Sequence, residues 1–276
     1  MDVSSYILYE DDEIIVCRKP AGMAVQHRGS GTMDLESLLL NYLSQRRSPG
    51  MPGRYAAPYL AVVHRLDQPV EGVMVFAKTK KAAADLSAQV QNGKMKKEYL
   101  AVVRCPSESS PYASDAQGKD GQSSKSPEKT AWYPLTDYLI RDGKTNTSRI
   151  VPAGTKDAKE ARLSFRILRN VISIYGAQGG RIPEMNPSEH SAAADAAEGL
   201  LLQVRLYTGR HHQIRVQLAG AGMPIVGDRK YGEQMSGNSA GMPLCLAAWR
   251  LEFYHPASGK RMSFEAVPGF LPPGFL

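Results

Sequence analysis

Short apolar segments, each closed off by turn residues, dominate this 276-residue chain. They are EIIVC (13–17), GVMVFAK (72–78), EYLAVV (98–103), ARLSFRIL (161–168), 199–206, LCLAAWRLEFY (244–254) and RMSFEAV (261–267). Their length and their β-branched and aromatic content predict strands. Strands outnumber helices and follow one another in meanders. That pattern implies an α+β fold around a mainly antiparallel mixed sheet with a few flanking helices. Three helices are expected. The first covers 34–42, with Leu35, Leu38, Leu39 and Leu40 on one side. The second covers 80–92, capped by Thr79 and closed by Gly93, with Ala83, Leu86 and Val90 inward. The third lies in HHQIRVQLAGAG (211–222), where Ile214 and Leu218 stack and Gly222 supplies the stop. KPAG (19–22) reads as a turn, with Pro20 fixing φ and Gly22 free to go positive.

Residues 106–129 and 176–199 are rich in Ser, Pro, Gly and Asp and poor in apolar side chains. They lack the surface needed to offset ordering entropy and read as loop insertions between strands. A net charge of +7 favours an anionic partner, of which nucleic acid is the commonest. Cys17, Cys105 and Cys245 are odd in number, far apart and form no CxxC. Reduced thiols in a cytoplasmic protein are the expectation. The N-terminal residues have neither the basic start nor the apolar run of a signal peptide, and no stretch approaches bilayer length.

The chemistry concentrates in AVVHRLDQPVEG (61–72). An apolar start brings His64, Arg65 and Asp67 together just before a turn with Pro69 and Gly72. A carboxylate following an apolar segment is partly desolvated and needs a cation to stay ionised. Arg215, in the apolar context QIRVQL, is the distant candidate. On spacing alone, an Asp–Arg pair that only holds a turn outweighs catalysis. Tyr99 follows a lysine run, where a ring can stack on an unpaired base, but for a lone tyrosine a core or half-exposed strand position is the favoured reading. His64, His211 and His212 lack metal-ligand spacing, because adjacent histidines on a regular element point apart. TGRHHQ (208–213) reads as a helix N-terminus where Arg210 and free N–H groups could meet phosphate, and a capped, solvated helix start fits it equally. No P-loop, nucleophile elbow or dinucleotide fingerprint is present.

Taken in order, the segments resemble the RluA-type family of RNA pseudouridine synthases. HRLDQPVEG resembles that family's catalytic HRLDxxTSG motif, and KKEYLAVV its KxYxAxV strand. TGRHHQIRVQLAGAGMPIVGDRKYG is similar to its TGRTHQIRVHLxxxGxPIxGDxxYG block. ILYEDDEIIVCRKPAGM and LAAWRLEFYHPASGKRMSFEAVP match at the two ends. Gln68, Val70 and Glu71 depart from the residues usual after the catalytic acid, as do His211 for Thr and Gln217 for His.

The resemblance implies a single pseudouridine synthase-like catalytic domain over 1–276, with a central basic cleft and no N-terminal accessory RNA-binding domain. It implies conversion of uridine in structured RNA, ribosomal or transfer, to pseudouridine. Asp67 would be the catalytic carboxylate, Arg215 its partner and Tyr99 the ring against the base. Arg65 would fill the gap left by the flipped nucleotide. His64, Arg210, Lys97 and Ile214 would join Arg65 in contacting RNA. Arg46, Arg47, Arg54, Lys78, Lys80, Lys81 and Lys96 are further phosphate candidates. The reaction is a net isomerisation, so neither cofactor nor metal is expected, and the partner is RNA, met by a monomer with no membrane attachment. The rival reading is a catalytically impaired RNA-binding protein that retains the fold, motivated by the residues after Asp67. A third is a basic structural protein in which an Asp–Arg pair serves stability alone.

Overall fold

The computed structural model describes residues 3–26, 33–46, 57–106, 111–112, 131–171, 199–232 and 243–272. The expected insertions at 106–129 and 176–199 fall outside them, apart from residues 106, 111, 112 and 199. After a 3-10 turn at Val3–Tyr6 come β1 (Ile7–Glu10), β2 (Ile14–Lys19), α1 (Leu35–Arg46), β3 (Ala61–Val62) and β4 (Glu71–Ala77). Then follow α2 (Lys80–Gln91), β5 (Lys96–Arg104), β6 (Tyr133–Asp142), β7 (Thr147–Val151) and β8 (Lys159–Val171). The series ends with β9 (Gly199–Leu206), α3 (Gln213–Gly220), β10 (Leu246–Tyr254) and β11 (Arg261–Glu265). This is the expected α+β arrangement of many strands and few helices. No helix among the described residues is long and apolar enough to cross a membrane. The chain divides into two compact units: Met1–Lys97 with Ala248–Ala266, and Glu98–Ala247 with Val267–Leu276.

In the first unit the strands run β1-β2-β4-β10, with β3 on β4 and β11 on β10. The β1–β2, β2–β4, β3–β4 and β10–β11 pairs are antiparallel. Every residue of β4 is buried, which explains its unbroken apolar run. Ile14, Val16, Val73 and Val75 share a core with Leu251 and Phe253, and α2 covers them with Ala82 and Leu86. Thr79 caps α2 as expected, its hydroxyl accepting the Ala82 N–H at 3.1 Å. The inward face is turned by one residue from the expected one: Ala82, Leu86 and Gln89 are buried, and Ala83 and Val90 flank them. Gln89 explains the turn. Its amide donates to the Tyr254 carbonyl at 2.6 Å and accepts the Tyr254 N–H at 2.8 Å, so a polar side chain docks on the β10 edge.

Gly72 opens β4 at φ +130, and a Cβ there would lie 2.2 Å from the Ala248 carbonyl oxygen. No side chain fits without moving that backbone. Gly72→Ala is therefore expected to destabilise the protein by about 3 kcal/mol or more, read as a lower urea midpoint. An unchanged midpoint would contradict the close approach.

In the second unit the order is β5-β9-β8-β6-β7. The β6–β7, β6–β8 and β8–β9 pairs are antiparallel. Val216 of α3 packs on Leu139 and Ala161 with Tyr231 beside them. The Gln217 amide donates to Asp137 Oδ2 at 2.7 Å and to the Ala161 carbonyl at 3.2 Å. The helix therefore covers the sheet face carrying Asp137, Leu139 and Ala161. Residues of opposite parity, Thr136, Arg162, Ser164 and Arg166, and Gln203 and Arg205 paired with them, lie on the other face. Gln213, Ile214, Arg215, Val216, Gln217 and Leu218 are all buried, so α3 has no solvent stripe. Gly222, at φ +76, follows its end as expected.

Candidate active site

In the first unit the chain leaves β3 and turns sharply, the Val70 N–H donating to the Asp67 carbonyl at 3.0 Å. His64 and Leu66 are buried, Arg65 is exposed and Asp67 is half-buried. This alternation puts the Asp67 carboxylate at the rim of the unit's interior. The turn is tied to KPAG. Gly22 N–H donates to the Gln68 carbonyl at 2.9 Å, and the Gln68 amide donates back to the Gly22 carbonyl at 3.0 Å.

Lys19 is the residue that sequence reasoning missed. It is 0% exposed, and its ammonium donates to the carbonyls of Pro20 at 3.0 Å, Met23 at 2.6 Å and Gln68 at 3.0 Å. Burial pushes its pKa down to about 8, against the opposing pull of the Asp67 and Glu71 carboxylates. It remains an ammonium at neutral pH and pins the turn that carries Asp67. Its only signal in the sequence is position: a lysine that closes β2, after Arg18 and just beyond the apolar run 14–17.

Lys19→Met keeps the aliphatic stem but strands three carbonyls. The expected cost is about 3 kcal/mol, read by thermal or urea melting. The linkage adds a signature. The unfolded chain holds the proton to about pH 10.5 and the folded chain to about pH 8. Wild-type stability therefore gains from this group as pH rises through that window, and the gain is absent in Lys19→Met.

The departures around Asp67 are each accommodated. Val70 is 2% exposed, in the core. Glu71, itself buried, accepts from Arg18 Nη2 at 2.7 Å. The buried His64 has a task inside the fold: its Nε2 accepts the Val75 N–H at 3.2 Å, which leaves the proton on Nδ1. Burial, with the nearby Lys97 charge, holds its pKa well below the ordinary histidine range. Lys97 is half-buried, and burial pushes it down to about 8. Of the phosphate candidates, Arg46 and Lys78 both pair with Glu10, at 3.3 and 2.7 Å. Lys80, Lys81 and Lys96 are exposed, and Arg47 and Arg54 lie outside the described residues.

The second unit holds Tyr99, Arg210, Ile214 and Arg215. Tyr99 is 6% exposed and Ile214 5%. Arg210 is exposed, its Nε donating to the Glu160 carbonyl at 2.8 Å. Arg215 is buried, as its apolar neighbours suggest. Its Nε and Nη2 donate to Asp228 Oδ2 and Oδ1, both at 2.7 Å. The Tyr231 ring lies 5.2 Å from the guanidinium carbon. Asp228 Oδ1 also accepts the N–H groups of Lys230 at 2.9 Å and Tyr231 at 3.2 Å. Burial raises the Asp228 pKa, but the Arg215 fork and the two backbone bonds outweigh it and hold the carboxyl below its usual range. This aspartate lies in GMPIVGDRKYG, which by sequence says only that the backbone turns.

The two histidines before α3 do not point apart. His212 takes a left-handed conformation at φ 54, outside the helix, and the rings stack with centroids 3.8 Å apart. His211 Nδ1 lies 3.0 Å from Ser148 Oγ, and His212 Nδ1 lies 2.8 Å from the Tyr231 hydroxyl. Burial, followed by neighbouring cations, pushes His211 down to about 4 and His212 to about 3. Gln217, the other departure in this block, accepts from the Gln213 amide at 2.9 Å.

Residues 13–220 match the family model for RNA pseudouridylate synthase. The chain is 31% identical over 268 residues to ribosomal large subunit pseudouridine synthase D of Nitrosomonas europaea, covering 94% of this chain and 61% of that protein. It is 32% identical over 270 residues to ribosomal large subunit pseudouridine synthase C of Salmonella typhimurium, covering 96% and 66%. The chain thus spans somewhat less than two thirds of the length of these relatives. In fold it is similar to human RNA pseudouridylate synthase domain containing 1, with TM-score 0.63 at 20% identity, covering 96% of this chain and 84% of that one. Human RNA pseudouridylate synthase domain containing 4 gives TM-score 0.59 at 21% identity, covering 96% and 89%. With the Asp67 turn and Arg215 itself inside the matched residues 13–220, the chain belongs to the RNA pseudouridylate synthase family.

Proposed function

We propose that this protein isomerises uridine to pseudouridine in RNA, with Asp67 as the catalytic carboxylate. The observation that carries the reading is the Asp67 turn. It lies inside the family match and is fastened by a fully buried lysine whose three hydrogen bonds serve backbone carbonyls. In this reaction the N1–C1′ bond breaks, the base turns within the site, and a C5–C1′ bond forms. A proton leaves C5 and one returns to N1, so atoms balance without a co-reactant. A carboxylate beside the ribose either attacks C1′ or removes a ribose proton, and Asp67 serves either route. By the family resemblance, Arg215, whose fork is on Asp228, is assigned as the cation for that carboxylate. Tyr99 offers the ring against the extruded base, where stacking returns roughly 1–3 kcal/mol of the unstacking cost. Arg65, exposed beside the turn, takes the space left in the RNA stack. Arg210 and Lys97 contact phosphate.

Large-subunit ribosomal RNA is the first substrate to test, because two relatives are named for it. Transfer RNA is the second. The test maps pseudouridine chemically across total RNA from cells with and without the gene. Loss of one site, restored by the wild-type gene, supports the assignment. An unchanged map, together with RNA binding by the purified protein, would establish the impaired RNA-binding reading instead.

A further inference from the structure

In the second unit, the sheet face opposite α3 carries arginines interleaved with aromatic rings. Arg162, Ser164 and Arg166 lie on it along β8, and Arg205 pairs with Ser164 across β9. The Arg205 guanidinium lies 4.0 Å from the centroid of Trp132, and that of Arg166 lies 5.1 Å from it. These groups are held in place. Arg205 Nε donates to Glu98 Oε1 at 2.8 Å, the Gln203 amide donates to Glu98 Oε2 at 2.8 Å, and Arg166 Nε donates to Gln203 Oε1 at 2.8 Å. Tyr207 is 59% exposed, unusual for so large a ring, and its hydroxyl pairs with Ser164 Oγ at 3.0 Å. Its N–H donates to the Arg162 carbonyl at 3.1 Å, so Tyr207 and Arg162 are neighbours. The stripe begins at Arg210, whose Nε is fixed on the Glu160 carbonyl at 2.8 Å. From Arg162 to Arg166 it covers about 13 Å of strand.

We infer that this stripe is an RNA contact surface that takes a single-stranded stretch of the substrate. The inference rests on the proposed RNA substrate. Fixed guanidinium planes and exposed rings are what unpaired bases stack on, and although Arg162 pairs with Glu160 at 2.9 Å and Arg205 with Glu98 at 2.8 Å, their remaining N–H groups can donate to phosphate. The Glu98–Gln203 network holds the guanidiniums before RNA arrives, which lowers the ordering cost of binding. An arginine–tryptophan stack serving the fold alone would not require an exposed tyrosine and a second exposed arginine at its end.

The experiment titrates the full chain with a labelled 20-nucleotide oligoadenylate at several salt concentrations. Arg162→Ala/Tyr207→Ala is expected to bind about 10-fold more weakly. Its slope of log Kd against log salt should fall by about 0.7, the loss of one phosphate contact on single-stranded RNA. A Trp249→Phe protein leaves Trp132 as the sole tryptophan, and its fluorescence should be quenched on titration. Melting curves of both variants confirm that each is folded. Unchanged Kd and slope, or no quench of Trp132, would overturn the surface. Equal competition by polyglutamate would assign the stripe to an acidic peptide and also overturn it. Failure here is separable from failure of the enzyme reading: the former leaves pseudouridine formation by the wild type intact, whereas the latter removes it whatever the oligonucleotide shows.

Discussion

Asp67→Asn yields no pseudouridine above background, a loss of about 10⁴-fold or more, while RNA binding stays within about threefold. The asparagine keeps the size of the side chain and the carbonyl that accepts the Val70 N–H. It removes only the charge needed at the ribose. The turn persists because the ties through Lys19, Gln68 and Gly22 remain in the variant. Lys19 registers the change, since the Asp67 charge opposes the burial that pushes its pKa down. In the variant the ammonium titrates lower still. Product is measured by chemical mapping on a ribosomal transcript, affinity by titration of the same RNA, and folding by melting. Three results together define the role: no product, retained affinity and a nearly unchanged melt. Substantial pseudouridine from the variant would reject Asp67 as the catalytic group, and with it the mechanism.

The sheet and helices were legible because their signals are local. β4 reads directly as an apolar run, α2 opens on the threonine that caps it, and Gly22 and Gly222 have the positive φ that their turn positions suggest. The β6–β7 hairpin was not foreseen. Its cue was present in the Asp142–Gly143 pair, a turn signal whose reversal is completed by Asn146 at φ 51. The groups that brace the candidate site were illegible for another reason. A lysine after a strand looks like a surface residue, and nothing in the letters shows its ammonium facing three carbonyls. Arg215 stood out among apolar neighbours, but Asp228, 13 residues on, required the chain to fold back from a glycine-rich turn before the two could meet. The stacking of His211 on His212 depended on one left-handed residue, which sequence spacing does not reveal.

Asp228→Asn is the second large effect, and it separates bracing from chemistry. Arg215 and Asp228 are buried together, with side chains 5% and 0% exposed. Removing one charge from such a pair leaves the other desolvated and uncompensated, at about 3–5 kcal/mol. The neutral amide accepts through one oxygen only, so one arm of the fork is lost as well. The pH dependence fixes the sign. The native pKa of Asp228 lies below its ordinary value. The pair therefore contributes its full stability above the unfolded carboxylate value and loses it as pH falls through the depressed native one. Wild-type protein should lose this contribution in acid, and Asp228→Asn should start without it and show a flatter acid limb. Tyr231→Phe keeps the ring against Arg215 but drops the hydroxyl that accepts the Ser148 N–H at 2.7 Å, so it should cost less. Urea melts from pH 7 down to pH 3 distinguish the two. If Asp228→Asn melts like wild type at neutral pH, the fork is not what holds Arg215, and another contact must aim it.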